Sequence, residues 1–238
     1  MSYNLPPKVI IIIGPPGSGK GTQATLLSEK LDLVYLETSR IGEERIKKAK
    51  KGEYIFFEGQ KFYFEKEKKL WEEGKLWDPP FITFLVMEEI KKIYATKKGI
   101  IFAGSPRTLY EAERILPLLK KLYGKESIKV IVLEISEKQS IYRNSRRRIC
   151  QLMRHPILYN KQTKNLKICP LDGSKLIKRG KLDWPETIKI RLKEYKERTL
   201  PVIDYFKKEK IEVKKIDGSL SPDKVFHSIL KALKLKND

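Results

Sequence analysis

The sequence predicts an α/β fold of three layers, α/β/α, in which a five-stranded, mostly parallel sheet carries two inserts. Five short apolar runs rich in β-branched residues are separated by long amphipathic stretches. Strands that alternate with helices in this way favour parallel pairing. A glycine-rich loop that directly follows the first apolar run leads into the first predicted helix. With 238 residues, 40% of them hydrophobic, the chain can bury the core that such a fold needs.

Each core element is predicted from its own periodicity. Short apolar runs predict strands at Lys8–Ile13, Leu33–Glu37, Ile100–Ala103, Lys129–Ile135 and Ile211–Ile216. Apolar residues at three- and four-residue spacing predict helices at Gly19–Leu31, Ile82–Lys97, Leu109–Tyr123, Glu137–Cys150, Pro185–Glu209 and Pro222–Leu235.

Two regions interrupt this alternation, and we expect them to be inserts on the core sheet. Residues 41–74 read as helical but are very rich in Lys and Glu, whereas residues 150–183 are rich in turn-forming Pro and Gly. The predicted core then consists of residues 1–40, 75–149 and 184–238.

The charge and the cysteine content limit the classes of function. Lys and Arg number 51 against 30 Asp and Glu, a net charge of +21, which predicts an anionic partner such as a nucleotide or a nucleic acid. No apolar run is long enough to span a membrane, and we expect no membrane partner. The two cysteines, Cys150 and Cys169, are too few for a disulfide scaffold, so we expect a cytoplasmic protein with reduced thiols.

The loop Gly14–Thr22 carries the most specific signal in the chain. It reads Gly-Pro-Pro-Gly-Ser-Gly-Lys-Gly-Thr between a predicted strand and a predicted helix. Glycines let backbone N–H groups converge on phosphate oxygens, the start of the helix adds its positive dipole end, and Lys20 reaches the outer phosphates. The sequence therefore predicts a P-loop, with the one departure that Gly21 separates Lys20 from the hydroxyl of Thr22.

This departure begins a resemblance to a known family. The segment from Gly14 to Ala24 resembles the opening of the adenylate kinase family, the nucleoside monophosphate kinases that move a phosphoryl group from ATP to AMP. Further segments resemble family motifs in the same order along the chain: Gly74-Lys75-Leu76-Trp77, Ser105-Pro106-Arg107-Thr108, Arg143-x-x-x-Arg147-Arg148, Thr187-x-x-x-Arg191-Leu-x-x-Tyr195 and Asp217-Gly218. The resemblance covers most of the chain and implies ATP and a nucleoside monophosphate, AMP before others, as substrates.

The resemblance also implies roles for individual residues. The catalytic set would be Lys20, Arg107, Arg147, Arg179 and Arg191. The ATP site would comprise Gly17, Ser18, Gly19, Lys20, Gly21, Thr22, Arg143, Arg147, Leu158, Tyr159 and Leu220. The monophosphate site would comprise Thr38, Arg40, Lys75, Leu76, Trp77, Gly104, Ser105, Pro106, Arg107, Glu111, Arg179 and Arg191. Magnesium would enter with ATP, and no site for a metal bound by the protein alone is expected.

These arginines fit the chemistry because two nucleotides bring about six phosphate charges into one cleft. Arg107 would hold the acceptor phosphate, Arg147 and Arg179 would close over the triphosphate, and Arg191 would bridge donor and acceptor. Arg143 would lie against the adenine of ATP. The two inserts would be moving covers that keep water away from the transferring group.

Four positions depart from the family pattern. Ala103 stands where the family has an aspartate that orders the water around magnesium, and Glu43 stands where it has an arginine for the acceptor phosphate. Arg40 or Arg45 could reach that phosphate from an adjacent turn. The Thr-Gly-Asp turn after the second strand reads Thr-Ser-Arg from Thr38.

The fourth departure concerns the acceptor base. Glu111 aligns with the family's adenine-reading glutamine, and a carboxylate only accepts hydrogen bonds. If Glu111 faces the base, guanine, with two adjacent donors, would suit it better than adenine, whereas Thr38 and the overall pattern favour AMP.

The second insert, the lid, contains remnants of a metal-binding pattern. Some family members hold zinc there with two Cys-x-x-Cys pairs, and this chain keeps one cysteine of each pair, in Cys150-x-x-Met153 and Cys169-x-x-Asp172. With His155, these residues offer four ligands of acceptable type. The irregular spacing from Cys150 to His155 favours a lid without zinc, held by hydrogen bonds and apolar packing.

Three functions remain open from the sequence. The expected one is ATP:AMP phosphoryl transfer by a monomer. The second is a kinase for another nucleoside monophosphate such as GMP. The third, suggested by Ala103, Glu43 and the charge of +21, is a weakened relative that binds nucleotide or RNA through its basic surface.

Overall fold

A computed structural model of the chain describes residues 7–73, 75–154 and 156–235. The strands are β1 (Val9–Ile13), β2 (Leu33–Leu36), β3 (Tyr54–Phe57), β4 (Gln60–Tyr63), β5 (Gly99–Ala103), β6 (Ile128–Glu134), β7 (Arg148–Cys150), β8 (Pro156–Ile157), β9 (Leu176–Ile177) and β10 (Glu212–Asp217). The helices are α1 (Lys20–Leu31), α2 (Thr38–Lys48), α3 (Phe64–Glu72), α4 (Pro79–Ala95), α5 (Leu109–Tyr123), α6 (Glu137–Arg146), α7 (Pro185–Glu194), α8 (Leu200–Lys208) and α9 (Pro222–Ala232). No helix within the described ranges is long and apolar enough to cross a bilayer.

The central sheet has the predicted five strands, in the order β10-β6-β1-β5-β2. Neighbouring strands are paired in parallel throughout. The middle strand, β1, is at most 3% exposed at any of its five residues, which is why it reads as an unbroken apolar run rather than an alternating one. The predicted α/β fold with a parallel sheet is confirmed.

Helices cover both faces of the sheet and divide the core in two. Val9, Ile11 and Ile13 of β1 pack with residues of α4, α5 and α8, whereas Ile10 and Ile12 pack with residues of α1 and α9. Alternate side chains of a strand point to opposite faces, so one strand contributes to both clusters. Parallel strands bring their carboxyl ends, and the loops that follow them, to the same edge of the sheet.

The first predicted insert is only partly helical. Between α2 and α3, the prediction of helix is wrong for Tyr54–Tyr63, which forms the antiparallel hairpin β3–β4. Glu58 and Gly59 make a two-residue turn in which both residues have positive φ, 48° and 78°. Such a turn matches the twist of a hairpin. The buried face of the hairpin carries Ile55 and Phe62 into the core cluster that includes α4.

Helix α6 is shorter than predicted. Helix α6 ends at Arg146 instead of Cys150, because Arg147 has an extended backbone and the next three residues form β7. Strand β7 pairs antiparallel with β8 on one side and β9 on the other. Within residues 41–74 and 150–183, Gly74 and His155 lie outside the described residues, and the division of the chain into core and inserts stays a prediction.

The helix predicted at Pro185–Glu209 is interrupted. Helix α7 is followed by a five-residue π-helical segment, Tyr195–Thr199, before α8 begins at Leu200. Pro201 has no N–H to bond the preceding turn, which accounts for the irregular backbone at this point. The interruption begins four residues after Arg191, whose side chain lines a cleft at the carboxyl edge of the sheet.

A candidate nucleotide cleft

The loops at the carboxyl edge of the sheet surround a cleft of about 920 Å³. Every residue predicted for the ATP and monophosphate sites lines this cleft, with the exception of Thr38 and Glu111. Residues from the P-loop, the segment 103–107, the lid and helix α7 therefore meet in one place.

The P-loop is held in shape by its own lysine and by helix α6. The Nζ of Lys20 donates to the carbonyl oxygens of Gly14 at 2.7 Å and Pro15 at 2.9 Å. Gly17 has a φ of 75°, and a Cβ there would lie 2.5 Å from the side-chain nitrogen of Asn144, so only glycine fits. The hydroxyl of Ser140 donates to the carbonyl of Pro16 at 2.7 Å. Helix α6 thus supports the loop from below, a role for Ser140 and Asn144 that the motif did not reveal.

The cleft concentrates positive charge to a degree that affects ionisation. Burial lowers the pKa of Lys20 well below its usual range, and the charges of Arg107, Arg191 and Arg147 lower it further. Burial, followed by the charges of Arg147, Arg179 and Arg107, lowers the pKa of Arg191 to about 9. These five cations therefore face one another at close range. A bound anion with several charges would relieve their repulsion, so the cleft suits phosphate groups.

Arg107 and Glu111 belong to one hydrogen-bonded loop. The Nε of Arg107 donates to the carbonyl of Gly104 at 2.6 Å, and its backbone N–H donates to Glu111 Oε2 at 3.1 Å. The hydroxyls of Ser105 and Thr108 donate to Oε2 and Oε1 of Glu111 at 2.7 and 3.1 Å. Burial raises the pKa of Glu111, although these donors oppose the shift.

This geometry corrects the expectation that Glu111 faces the acceptor base. Both carboxylate oxygens accept bonds from the loop 105–108, and the residue does not line the cleft. The backbone N–H of Glu111 donates in turn to the hydroxyl of Thr108, the N-cap of α5. Thr108 and Glu111 have the Thr-x-x-Glu spacing of a capping box, which is the sequence signal for this role.

Two further arginines are fixed by partners that the sequence did not identify. Arg143 donates to the carbonyl oxygens of Gly218 at 2.8 Å and Ser219 at 2.9 Å, so it ties α6 to the loop after β10. Arg147 forms a two-point ion pair with Asp183, whose side chain is only 5% exposed. Asp183 therefore orients Arg147 at the base of the lid.

The residues predicted for the acceptor combine buried side chains with an exposed rim. Trp77 is 9% exposed and lies against Gly42 so closely that a Cβ on Gly42 would be 2.2 Å from the indole ring. Thr38, at the start of α2, is buried, and its hydroxyl has no hydrogen-bond partner within the described residues. Lys75 and Arg40, in contrast, are exposed and pair with Glu73 and Glu44.

The predicted adenine contacts on the donor side are exposed side chains at the mouth of the cleft. Leu158 is 46% exposed and Leu220 is 41% exposed. The ring of Tyr159 packs edge-on against Tyr142, and the guanidinium of Arg146 lies over both rings. An apolar and aromatic rim of this kind can cover a base, because one face of each group remains accessible.

The lid contains the one cluster of three metal-ligating side chains within the part of the chain that the structure describes: Cys150, Cys169 and Asp172. Their donor atoms lie within 4.8 Å of one another, and both cysteines are buried and not joined by a disulfide. The thiol of Cys150 donates to Asp172 at 2.9 Å, and Ser174 donates to the other oxygen of Asp172 through its N–H and its hydroxyl. Burial raises the pKa of the Cys169 thiol. Three of the four zinc ligands are thus in place, but they also satisfy one another as a hydrogen-bonded cluster.

Comparisons with known proteins agree with this geometry. The family model for adenylate kinase matches residues 12–211. The chain is 32% identical over 229 residues to the adenylate kinase of Mycoplasma mycoides subsp. mycoides, covering 95% of this chain and 99% of that protein. It is 33% identical to the adenylate kinase of Thermosipho melanesiensis, over 94% of this chain and 99% of that one. It is 31% identical to the adenylate kinase of Borreliella burgdorferi, over 96% and 99% of the two chains.

Proposed function

The chain belongs to the adenylate kinase family of phosphotransferases, and we propose that it transfers the γ-phosphoryl group of ATP to AMP and yields two molecules of ADP. The observation that carries this proposal is the convergence of Lys20 with Arg107, Arg147, Arg179 and Arg191 in one cleft. A single nucleotide would not need so many cations, whereas two nucleotides held end to end would.

In this reaction an oxygen of the acceptor phosphate forms a bond to the γ-phosphorus while the bond to the β–γ bridging oxygen of ATP breaks. The bridging oxygen leaves with ADP, and no protein nucleophile is needed. Lys20 would stabilise the negative charge on the transferring group. Arg107 would hold the acceptor phosphate, and Arg191 would lie between the donor and acceptor phosphates. Fixed cations in a site that excludes water contribute by stabilising charge that develops in the transition state.

We favour AMP over GMP because the observation that suggested GMP, a carboxylate facing the acceptor base, does not apply to Glu111 in the structure. Glu111 uses its carboxylate within the loop 105–108 and does not line the cleft. Thr38, the residue that the family resemblance associates with AMP, has a buried hydroxyl without a hydrogen-bond partner in the described structure. Like Glu111, Thr38 does not line the cleft, so the preference for AMP rests on membership of the adenylate kinase family.

We expect magnesium to bind together with ATP, as part of the substrate. Thr22, which lines the cleft after Lys20, would be the protein hydroxyl nearest the ion, and Ala103 offers no ligand in place of the family's aspartate. When bound, the ion would neutralise phosphate charge. The lid cluster would fit zinc only with a fourth ligand, so we expect the hydrogen-bonded form to support the lid without metal.

The expected state is a monomer in the cytoplasm. Size-exclusion chromatography with light scattering measures the mass directly, for comparison with 27.8 kDa for one chain.

A coupled assay with magnesium and saturating ATP tests the proposed function. The value of kcat/KM is measured for AMP, GMP, CMP and UMP. We expect AMP to exceed each of the others by at least about tenfold, since rejecting a base that leaves buried polar groups unpaired is worth ~1–3 kcal/mol. A higher kcat/KM for GMP than for AMP would mean that GMP, and not AMP, is the acceptor. No turnover with any monophosphate, together with salt-sensitive binding of RNA, would support the third possibility of a binding protein.

A further inference from the structure

Glu43 makes an unusual link between the first insert and the lid. It lies on α2, and its side chain is 5% exposed. Its Oε2 accepts a hydrogen bond from Nη1 of Arg154 at 2.7 Å, and its Oε1 lies 3.8 Å from Nη2 of Arg179. Both arginines belong to the lid and both line the cleft. A carboxylate at this place therefore holds two lid arginines over the acceptor side.

The sequence suggested that Arg40 or Arg45 takes the place of the family's acceptor-phosphate arginine. In the structure, each of these guanidinium groups has a partner within the first insert. Arg40 is 70% exposed and pairs with Glu44 on its own helix. Arg45 lies over the ring of Phe64, with Glu53 at 3.8 Å. Arg40 lines the cleft, but its guanidinium is engaged by Glu44 on its own helix, and Arg45 does not line the cleft. Within α2, no arginine is therefore held over the cleft by a residue of another element.

Arg154 offers a replacement for the family's arginine from the opposite side of the cleft. Its side chain is 42% exposed, so only part of it is engaged by Glu43 and the rest faces the cleft opening. A guanidinium has five N–H donors in a planar fork, and one of them here bonds the carboxylate at 2.7 Å. The remaining donors can bind a phosphate while the bond to Glu43 persists.

We propose that Arg154 is an acceptor-phosphate ligand supplied by the lid and that Glu43 is the residue that positions it. The inference rests on the proposed function, because it assigns a partner to the acceptor phosphate. In the family pattern, the first insert carries the arginine for the acceptor phosphate. In this chain the first insert carries the carboxylate of Glu43, and the lid carries the arginine, Arg154. Acceptor affinity then depends on the lid, so that ATP, which the lid covers, should strengthen the binding of AMP.

Arg154 can be tested with a variant that spares the backbone. Arg154 has a φ of 60°, a left-handed conformation that asparagine and glycine tolerate well, so Arg154→Asn and Arg154→Gly should fold normally. The matched control is Lys178→Asn, which removes one positive charge from an exposed lid residue that does not line the cleft. Circular dichroism and thermal denaturation verify that each variant folds.

Two measurements decide the matter. The first is calorimetric binding of AMP with and without a non-hydrolysable ATP analogue, and the second is the steady-state KM for AMP against kcat. For Arg154→Asn we expect AMP binding in the presence of the analogue to weaken by about tenfold or more, which corresponds to one charge-assisted contact. The KM for ATP should change less than twofold, and Lys178→Asn should match the wild type.

The positioning role of Glu43 is tested by asking whether the effect of its substitution on AMP affinity requires Arg154. Glu43→Gln should raise the KM for AMP with little change in kcat. Adding it to Arg154→Asn should have a much smaller effect than in the wild type, because the one remaining arginine near Glu43, Arg179, is 3.8 Å away. Glu43→Asp, which keeps the charge, should restore part of the affinity.

Three results would overturn the inference: unchanged AMP affinity in Arg154→Asn, tighter AMP binding in Glu43→Gln, or no AMP binding by the wild type even with the analogue. Because binding is measured without turnover, the two proposals can fail separately. If the variants change AMP binding as expected but the protein does not transfer phosphate, only the proposed function is rejected.

Discussion

The two sides of the cleft are built in different ways. On the donor side, the P-loop follows a fully buried central strand, and its lysine, its glycines and the supporting α6 are fixed by short hydrogen bonds and tight contacts. On the acceptor side, the residues come from separate elements, and several are exposed ion pairs such as Arg40–Glu44 and Lys75–Glu73.

The contrast explains why one side follows the family pattern and the other departs from it. A backbone-built phosphate site leaves few substitutions that preserve its geometry, because each N–H must point at the ligand. A site built from side chains on different elements can exchange one residue for another, provided that a charge of the right sign still arrives. Two of the departures, Glu43 and the Thr-Ser-Arg turn from Thr38, lie on α2, in the part of the chain predicted for the acceptor.

The largest expected effect is on the donor side. Lys20→Ala should lower kcat/KM by at least about a thousandfold, or ~4 kcal/mol in the barrier, if Lys20 contacts the transferring group as we propose. Initial rates of ADP formation give the comparison, and thermal denaturation verifies that the variant folds. A loss of less than about tenfold would mean that Lys20 does not contact that group.

Arg107→Ala should affect mainly acceptor use. Removing a guanidinium that contacts the acceptor phosphate costs ~2–3 kcal/mol, so the KM for AMP should rise by about thirty- to a hundredfold while the KM for ATP changes little. Arg114→Ala is the matched control, since Arg114 lies on α5, pairs with Glu58 of the hairpin and does not line the cleft. An unchanged KM and kcat for AMP in the Arg107 variant would remove Arg107 from the acceptor site.

Glu111→Gln distinguishes a loop-positioning role from a base-reading one. Glutamine replaces one accepting oxygen by a donor in a buried set of three donors, so the free energy of unfolding should fall by ~1–3 kcal/mol. The ratio of kcat/KM for AMP over GMP should stay within twofold. The control is Glu113→Gln, an exposed residue on the same helix. A ratio that moves tenfold toward AMP would return Glu111 to the base pocket.

Glu67 should make the free energy of unfolding depend on pH. It is fully buried on α3, its Oε2 accepts from the N–H of Asp78 at 2.9 Å, and burial raises its pKa from 4.5 to about 7. A carboxyl whose pKa is raised by folding stabilises the protein most below its unfolded pKa. That stabilisation is lost as the pH rises through about 7.

Glu67→Gln should therefore flatten the dependence of unfolding free energy on pH between about 4.5 and 7 and leave the variant more stable than the wild type at pH 8, by at most about 3 kcal/mol. Urea denaturation at several pH values gives the comparison, with the exposed Glu65→Gln as control. An unchanged pH profile would mean that Glu67 stays charged in the folded protein.

The parallel sheet and the P-loop could be predicted because their signals are local: β-branched runs, turn glycines and a lysine at fixed spacing. The hairpin β3–β4 was missed because aromatic residues occupy both of its faces, so the alternation of apolar and polar residues is lost. Its turn, Glu58-Gly59, was the available signal, since a residue followed by glycine between two aromatic runs is typical of a two-residue hairpin loop.

The position of Glu111 could not be read from alignment with a family motif, because alignment fixes its place on α5 but not the direction of its side chain. The partner that redirects it, Ser105, stands six residues away, and the bond between them is visible only in the structure. Contacts between distant segments, such as Glu43 with Arg154 or Arg147 with Asp183, have no local signal at all.

The fate of the γ-phosphoryl group tests the central claim most directly. ATP labelled in its γ-phosphate is incubated with the protein, magnesium and AMP, and the products are separated. If the cleft holds two nucleotides end to end and excludes water, the label will appear in the β-phosphate of ADP formed from AMP, in equal amount to the ADP formed from ATP. Label that is released as inorganic phosphate, or that stays in ATP when AMP is present, would contradict the account.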